Sequence, residues 1–182
     1  MPLTLTTDPQ EEVFDVVNEK DEVIGTALRS EVHKDASLIH RSIAVLVFQN
    51  NRLYLQRRSE TKDTYAGYWT CSCSGHVNAG ETYEDAAKRE LGEELGLHVE
   101  EPLLLLQKKI IRYPKETECI SFFRYNTSAE IVANDTEISE GRFFEFNQRF
   151  IDVELRSLSV TPCLKYICDY LMKRPSKYLA KS

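Results

Sequence analysis

Hydrophobic and polar positions divide this chain into short blocks with distinct periods. Ser42–Gln49 carries an unbroken apolar run from Ile43 to Phe48. A strand with one wet face would alternate, so this block predicts a strand buried on both sides. Asn50-Asn51 follows, and asparagine tolerates left-handed backbone, so the chain turns there. Arg52–Arg57 returns as a second strand. Upstream, residues 12–18 and 22–27 are apolar or β-branched around Asn18-Glu19-Lys20-Asp21, which predicts an N-terminal β-hairpin. A polar, partly helical segment leads from there to Leu38. Residues 59–67 form a polar loop ending in Ala66-Gly67, and Tyr68–Ser74 is the next strand. Leu103–Arg112 and Cys119–Tyr125 are two more, with a turn at Tyr113-Pro114-Lys115, and Gly141–Phe146 is another. Asn147–Glu154 and Pro162–Lys173 have the pattern of helices, the latter opened by Thr161-Pro162 with proline at the first helical position. Strands flanked by helices predict an α/β sandwich with a mixed central sheet.

Between the strand at 68–74 and the one at 103–112 lies a glycine loop followed by a helical block. Glu90, Glu93 and Glu94 stand at i, i+3 and i+4, within about a third of the helix circumference. Like charges at that spacing repel. A cation offsets the repulsion, and oxygen-only ligands suit Mg²⁺ or Mn²⁺. A solvated acidic face is the usual reading of a glutamate run. The boundaries argue against it. Thr82 and Asp85 make a capping pattern, Gly96 sits where a left-handed C-terminal cap belongs, and Ala87, Leu91 and Leu95 line an apolar stripe. Arg89 is four residues from both Asp85 and Glu93 and can pair with either.

Composition narrows the class. The chain has 182 residues, enough for one domain with a sizeable core, and is 42% apolar and 29% charged, as globular proteins are. A net charge of −6 argues against nonspecific nucleic-acid binding. No basic segment followed by an apolar core opens the chain, and no apolar run is long enough to cross a membrane. Five cysteines, an odd number without an export signal, point to reduced thiols in the cytoplasm. Cys71-Ser72-Cys73 has no second pair at zinc-finger spacing.

The block from Gly75 to Leu97 resembles the Nudix box. Gly75, Glu81, Arg89-Glu90-Leu91, Glu93-Glu94 and Gly96-Leu97 fall at every specified position of that motif. The resemblance implies the Nudix α/β/α sandwich and a loop–helix–loop that holds divalent cations against a diphosphate. It implies that Glu90, Glu93 and Glu94 are metal ligands, that Arg89 orients Glu90, and that Glu81 braces loop and helix. Gly75 and Gly80 are expected to let the loop turn through positive φ. One domain over 1–182 is expected, with 1–34 as a hairpin extension, 75–97 as the box and 155–182 as a C-terminal helix and tail.

A wider stretch, residues 14 to 145, resembles the type 1 isopentenyl-diphosphate isomerases, which share the Nudix fold. His33 and His40, Arg57-Arg58 before Lys62, Gly67-Tyr68-Trp69-Thr70, Gly75-His76 and Glu116-Thr117-Glu118-Cys119 carry this likeness. It implies a metal site built from His33, His40, His76, Glu116 and Glu118. Two departures point away from isomerisation. Serine, Ser74, stands where those isomerases have their catalytic cysteine, and a hydroxyl is far less acidic than a thiol. The box is also intact, whereas the isomerases usually carry a degraded one.

The expected function is therefore a Mg²⁺- or Mn²⁺-dependent hydrolase that cleaves a diphosphate bond in a nucleoside diphosphate linked to another moiety. An isopentenyl-diphosphate isomerase and a non-catalytic diphosphate-binding module are the alternatives. Glu90 or Glu118 is the candidate base. Arg57, Arg58 and Lys62 are candidate phosphate contacts. A solvated basic edge competes for Arg57 above all, because adjacent strand residues face opposite ways. Trp69 suits the core better than a base-stacking role. The partner is a small diphosphate, neither nucleic acid nor membrane, and the chain is a monomer or homodimer.

Overall fold

The computed structural model describes residues 8–174, so parts of the expected N-terminal extension and C-terminal tail lie outside the described residues. The N-terminal hairpin pairs β1 (Val13–Val17) with β2 (Val23–Leu28), and a single helical turn, α1 (Arg29–Val32), follows. The apolar run lies in β3 (Ile39–Gln49), the longest strand and the organiser of the sheet. One edge of β3 pairs in turn with β1, with β6 (Cys73–His76) and with β4 (Arg52–Arg58), all antiparallel. Its other edge pairs in parallel with β8 (Thr117–Asn126) over ten residues, from Ile39↔Thr117 to Phe48↔Asn126. β7 (Leu104–Arg112) flanks β8, while β5 (Trp69–Thr70) and β9 (Ile138–Glu145) flank β4, so the sheet is mixed as expected.

The alternation hidden inside the apolar run now has its reason. Ala44, Leu46 and Phe48 pack into one core layer with Trp69, Phe122 and the helix α4 (Pro162–Met172). Ile43, Val45 and Val47 pack into the opposite layer beneath α2 (Tyr83–Leu95). Both faces are dry over Ile43–Phe48, so no polar residue interrupts that run. α2 buries Ala86, Ala87, Leu91 and Leu95, each leucine contributing about 1.5–3 kcal/mol. Thr82 caps it by accepting from the Asp85 amide, and Gly96 ends it in the left-handed conformation at φ 65°.

Three expectations are corrected. The strand expected over Tyr68–Ser74 is broken at Cys71-Ser72 into β5 and β6, because each half pairs with a different strand. The helix expected at Asn147–Glu154 is present and runs over 148–157, but its middle, Phe150–Glu154, is wound as a π-helix and it ends in a short α3 (Leu155–Ser157). Gly75 does not turn through positive φ, although Gly80 does, at 79°. Gly75 sits within β6, and its value is space: a Cβ there would lie 2.2 Å from the Glu90 carboxyl carbon.

Candidate metal and diphosphate site

The helix α2 lies against β6, and its acidic face turns into a cleft. Arg89 is the hub. Its Nε and one terminal nitrogen donate to the two carboxylate oxygens of Glu81 at 2.9 and 3.0 Å. The other terminal nitrogen donates to Glu90 Oε1 at 2.7 Å, and to Glu93 at 3.3 Å. Arg89 also reaches the His76 carbonyl at 3.0 Å, which ties helix to strand. Glu81 braces the loop by accepting from the Asn78 amide at 3.0 Å. Arg89 does not pair with Asp85, which accepts instead from the Thr82 hydroxyl at 2.6 Å. Hydrogen bonds to Glu81, with the nearby Glu90 charge, raise the Arg89 pKa and keep it charged.

Glu90 and Glu94 are nearly buried, and Glu93 is exposed. Burial first, then the mutual repulsion of Glu94 and Glu90, pushes the Glu90 carboxyl up to about 8. Burial also raises Glu94. Glu94 Oε2 accepts from Gln56 Nε2 at 2.7 Å and from the Ser74 amide at 3.2 Å, which fixes the plane of the carboxylate. Crowded, dehydrated carboxylates of this kind suit a hard divalent cation, which would hold them ionised.

The sheet register builds a second cluster. His40 on β3 lies opposite Glu118 on β8, and Ser42 lies opposite His76 on β6. Residues two apart on a strand share a face, so His40, His76, Glu116 and Glu118 converge. His33, just after α1, closes the group. His33 Nε2 is 3.1 Å from His76 Nε2 and 3.4 Å from Glu116 Oε2. His40 and His76 lie 3.9 and 3.8 Å from Glu118 Oε1. One nitrogen from each histidine falls within 4.8 Å of the others, a spacing that fits a shared cation. His40 is fully buried and neither ring nitrogen has a hydrogen-bond partner. Burial, then His33, holds it down to about 3, and burial drives His76 well below its usual value, so both rings are neutral and have a lone pair to offer a cation. Burial, then Glu116, pushes Glu118 up to about 7.

Both clusters open onto one cavity of about 400 Å³. Arg58 lines it, anchored through Nε to the Thr64 carbonyl at 3.0 Å, and its charge acts on Glu94, Glu116 and Glu118 alike. Lys62 also lines it but is engaged by Asp8 at 2.8 Å and by Glu137. Arg57 does not line the cavity; it pairs with Glu60 and the Gly67 carbonyl on the far side. Ser74 lines the cavity, whereas Cys73 is buried beneath α2 with its thiol bonded to Glu94. Trp69 is in the core.

Gln56 and Tyr113 are the residues the sequence reading missed. Gln56 is 2% exposed, a polar position among the apolar residues of β4, and that mismatch was the available signal. Tyr113 hydrogen-bonds Glu118 from a turn, and only the pairing of β7 with β8 places it there.

The NUDIX domain family model matches residues 38–159, and the chain belongs to that family. It is 35% identical over 150 residues to an uncharacterized Nudix hydrolase, orf19, of Rhodococcus erythropolis, covering 77% of this chain and 80% of that one. It is 28% identical to an isopentenyl-diphosphate Delta-isomerase of Rhizobium rhizogenes, covering 93% of this chain and 84% of that one. A second isomerase, from Photorhabdus laumondii, is 42% identical, but the match spans 47% of this chain and 49% of its length. Among solved structures, DR0079 from Deinococcus radiodurans shares the fold with a TM-score of 0.70 at 24% identity, covering 87% of this chain and 98% of that one. No helix among the described residues is long and apolar enough to cross a membrane.

Proposed function

We propose that this protein is a cytoplasmic, Mg²⁺- or Mn²⁺-dependent hydrolase of a nucleoside diphosphate linked to another moiety, or of a related organic diphosphate. The observation that carries the reading is the intact set Glu90, Glu93 and Glu94, held by Arg89 and Gln56 and opening onto the same cavity as Arg58. Glu90, Glu93 and Glu94 would hold the cation, with His33, His40, His76, Glu116 and Glu118 as a second set. A cation bound there supplies charge neutralisation on the diphosphate and acidifies a water. The chain does the rest. Arg58, lying between the two carboxylate clusters, grips the diphosphate and aligns it. Arg89 keeps Glu90 aimed at the cleft. Glu118, steadied by Tyr113, is the carboxylate placed to take a proton from the attacking water. The chain acts as one domain, as a monomer or homodimer.

A screen of nucleotide and other organic diphosphates with Mg²⁺ and Mn²⁺ tests the reading. Glu94→Gln should abolish metal-dependent turnover; retained turnover sinks it. The histidine cluster with Glu118 and Tyr113 favours one second reading, isopentenyl-diphosphate isomerisation. Ser74 and the occluded Cys73 weigh against it. Deuterium exchange into dimethylallyl diphosphate, with no phosphate released, would establish it.

A further inference from the structure

Two of the five cysteines are neighbours across a gap of 92 residues. Cys71, fully buried, sits in the break between β5 and β6. Cys163 is the second residue of α4, and its side chain lines the cavity. Their sulfurs are 3.9 Å apart, with no residue between them. The frame around them is stitched on both sides. The Trp69 amide donates to the Ser159 carbonyl at 2.8 Å, and the Thr161 amide donates to the Trp69 carbonyl at 2.9 Å. The Thr70 and Thr161 hydroxyls meet at 3.0 Å. A disulfide needs about 2.05 Å between sulfurs, so side-chain rotation and a small backbone shift remain to be made.

We propose that Cys163 and Cys71 are a thiol modification site, in which Cys163 meets an oxidant entering through the cavity and Cys71 resolves the product into an internal disulfide. With a peroxide, the Cys163 sulfur takes one oxygen and the peroxide leaves as water or an alcohol. The Cys71 sulfur then attacks the sulfenic acid, the S–S bond forms, and a second water departs. With a disulfide such as oxidised glutathione, Cys163 forms the mixed disulfide and releases one thiol. Cys71 then displaces the second. Both routes remove the same two hydrogens from the protein. Cys71 and then burial push the Cys163 thiol up, so the step is slow and needs sustained oxidant. The pair also decides what happens to the cavity: resolution by Cys71 clears a bulky adduct from its wall.

The full chain, incubated with oxidised glutathione and mapped by mass spectrometry without reduction, tests this independently of any turnover. The expected product is two hydrogens lighter, links the Cys71 and Cys163 peptides, reverts with dithiothreitol and melts at a higher temperature. Cys71→Ser should instead retain one glutathione on Cys163. A linkage through Cys73, Cys119 or Cys168, a dimer through Cys163, or a stable adduct on the unmutated chain overturns the proposal. Should Cys71→Ser fail to fold, the peptide map of the unmutated chain decides alone.

Discussion

Replacing Gln56 by leucine tests whether the cleft is built around a fixed Glu94. The two side chains meet at 2.7 Å, with Gln56 2% and Glu94 6% exposed, so water does not substitute for the lost donor. Leucine has nearly the same volume and brings no new polar group, so the core layer stays filled. A hydrogen bond to an ionised acceptor is worth about 1.5–3 kcal/mol, or about ten- to a hundred-fold in an equilibrium constant. Glu94 keeps the Ser74 amide at 3.2 Å, which limits the loss to that range. The loss falls on the ionised form, because the Gln56 hydrogen bond is the largest influence lowering the Glu94 pKa. The Mg²⁺ concentration for half-maximal turnover should therefore rise about ten- to a hundred-fold, as for other groups that orient metal ligands. Metal-free stability at pH 5 should change little, since Glu94 is then protonated. Turnover against Mg²⁺, paired with calorimetric titration of Mg²⁺, measures both. An unchanged half-saturation in a folded variant would refute the reasoning and leave Gln56 as a packing residue.

Gly75→Ala places a Cβ 2.2 Å from the Glu90 carboxyl carbon and forces that flexible side chain aside, so turnover should fall about 100-fold while the melting temperature moves little; normal turnover contradicts it. The metal-free protein should lose stability as pH rises from 6.5 to 8. Glu90, Glu94 and Glu118 have folded pKa values raised to about 8, 7 and 7 from 4.5, so their contribution is complete below 4.5 and vanishes as they ionise. His40 and His76, with lowered values, add stability as pH rises only up to 6.5, so above it the carboxylates decide the slope. A chelator-treated melting temperature that is flat or rises over that window defeats this account, and Mg²⁺ should restore the loss. His40→Leu removes a buried ring whose nitrogens are both unpartnered, so metal-free stability should hold or rise by about 1 kcal/mol while Mn²⁺ binding at the histidine cluster is lost; a fall of several kcal/mol with binding intact argues for a packing role.

Local patterns were enough for most of the architecture and for one half of the site. The doubly buried β3, the hairpin and the capped glutamate helix are each written in consecutive residues, because period, caps and turn chemistry act within a few positions. The spacing of Glu90, Glu93 and Glu94 belongs to that class: a helix alone puts them on one face. So does the pairing of Arg89 with Glu93. The failures are of another kind. Asp85 was within reach of Arg89 on the helix, but Glu81 folds back from the loop and wins with a two-pronged contact. Gly75 looked like a turn residue, and only the approach of α2 to β6 shows that it is there to make room for Glu90.

What the sequence determined by itself was the kind of chemistry to expect: an acidic helix face suited to a cation, basic side chains suited to an anion, and histidines at suggestive intervals. What the tertiary structure decided was which of these act together. The parallel register of β3 with β8 sets His40 beside Glu118, and the antiparallel register with β6 adds His76. The strand pleat turns Arg58 into the cavity and Arg57 away from it. The physical reason is that register couples residues far apart in the chain through backbone hydrogen bonds, and a slip of one residue would reverse every one of these directions.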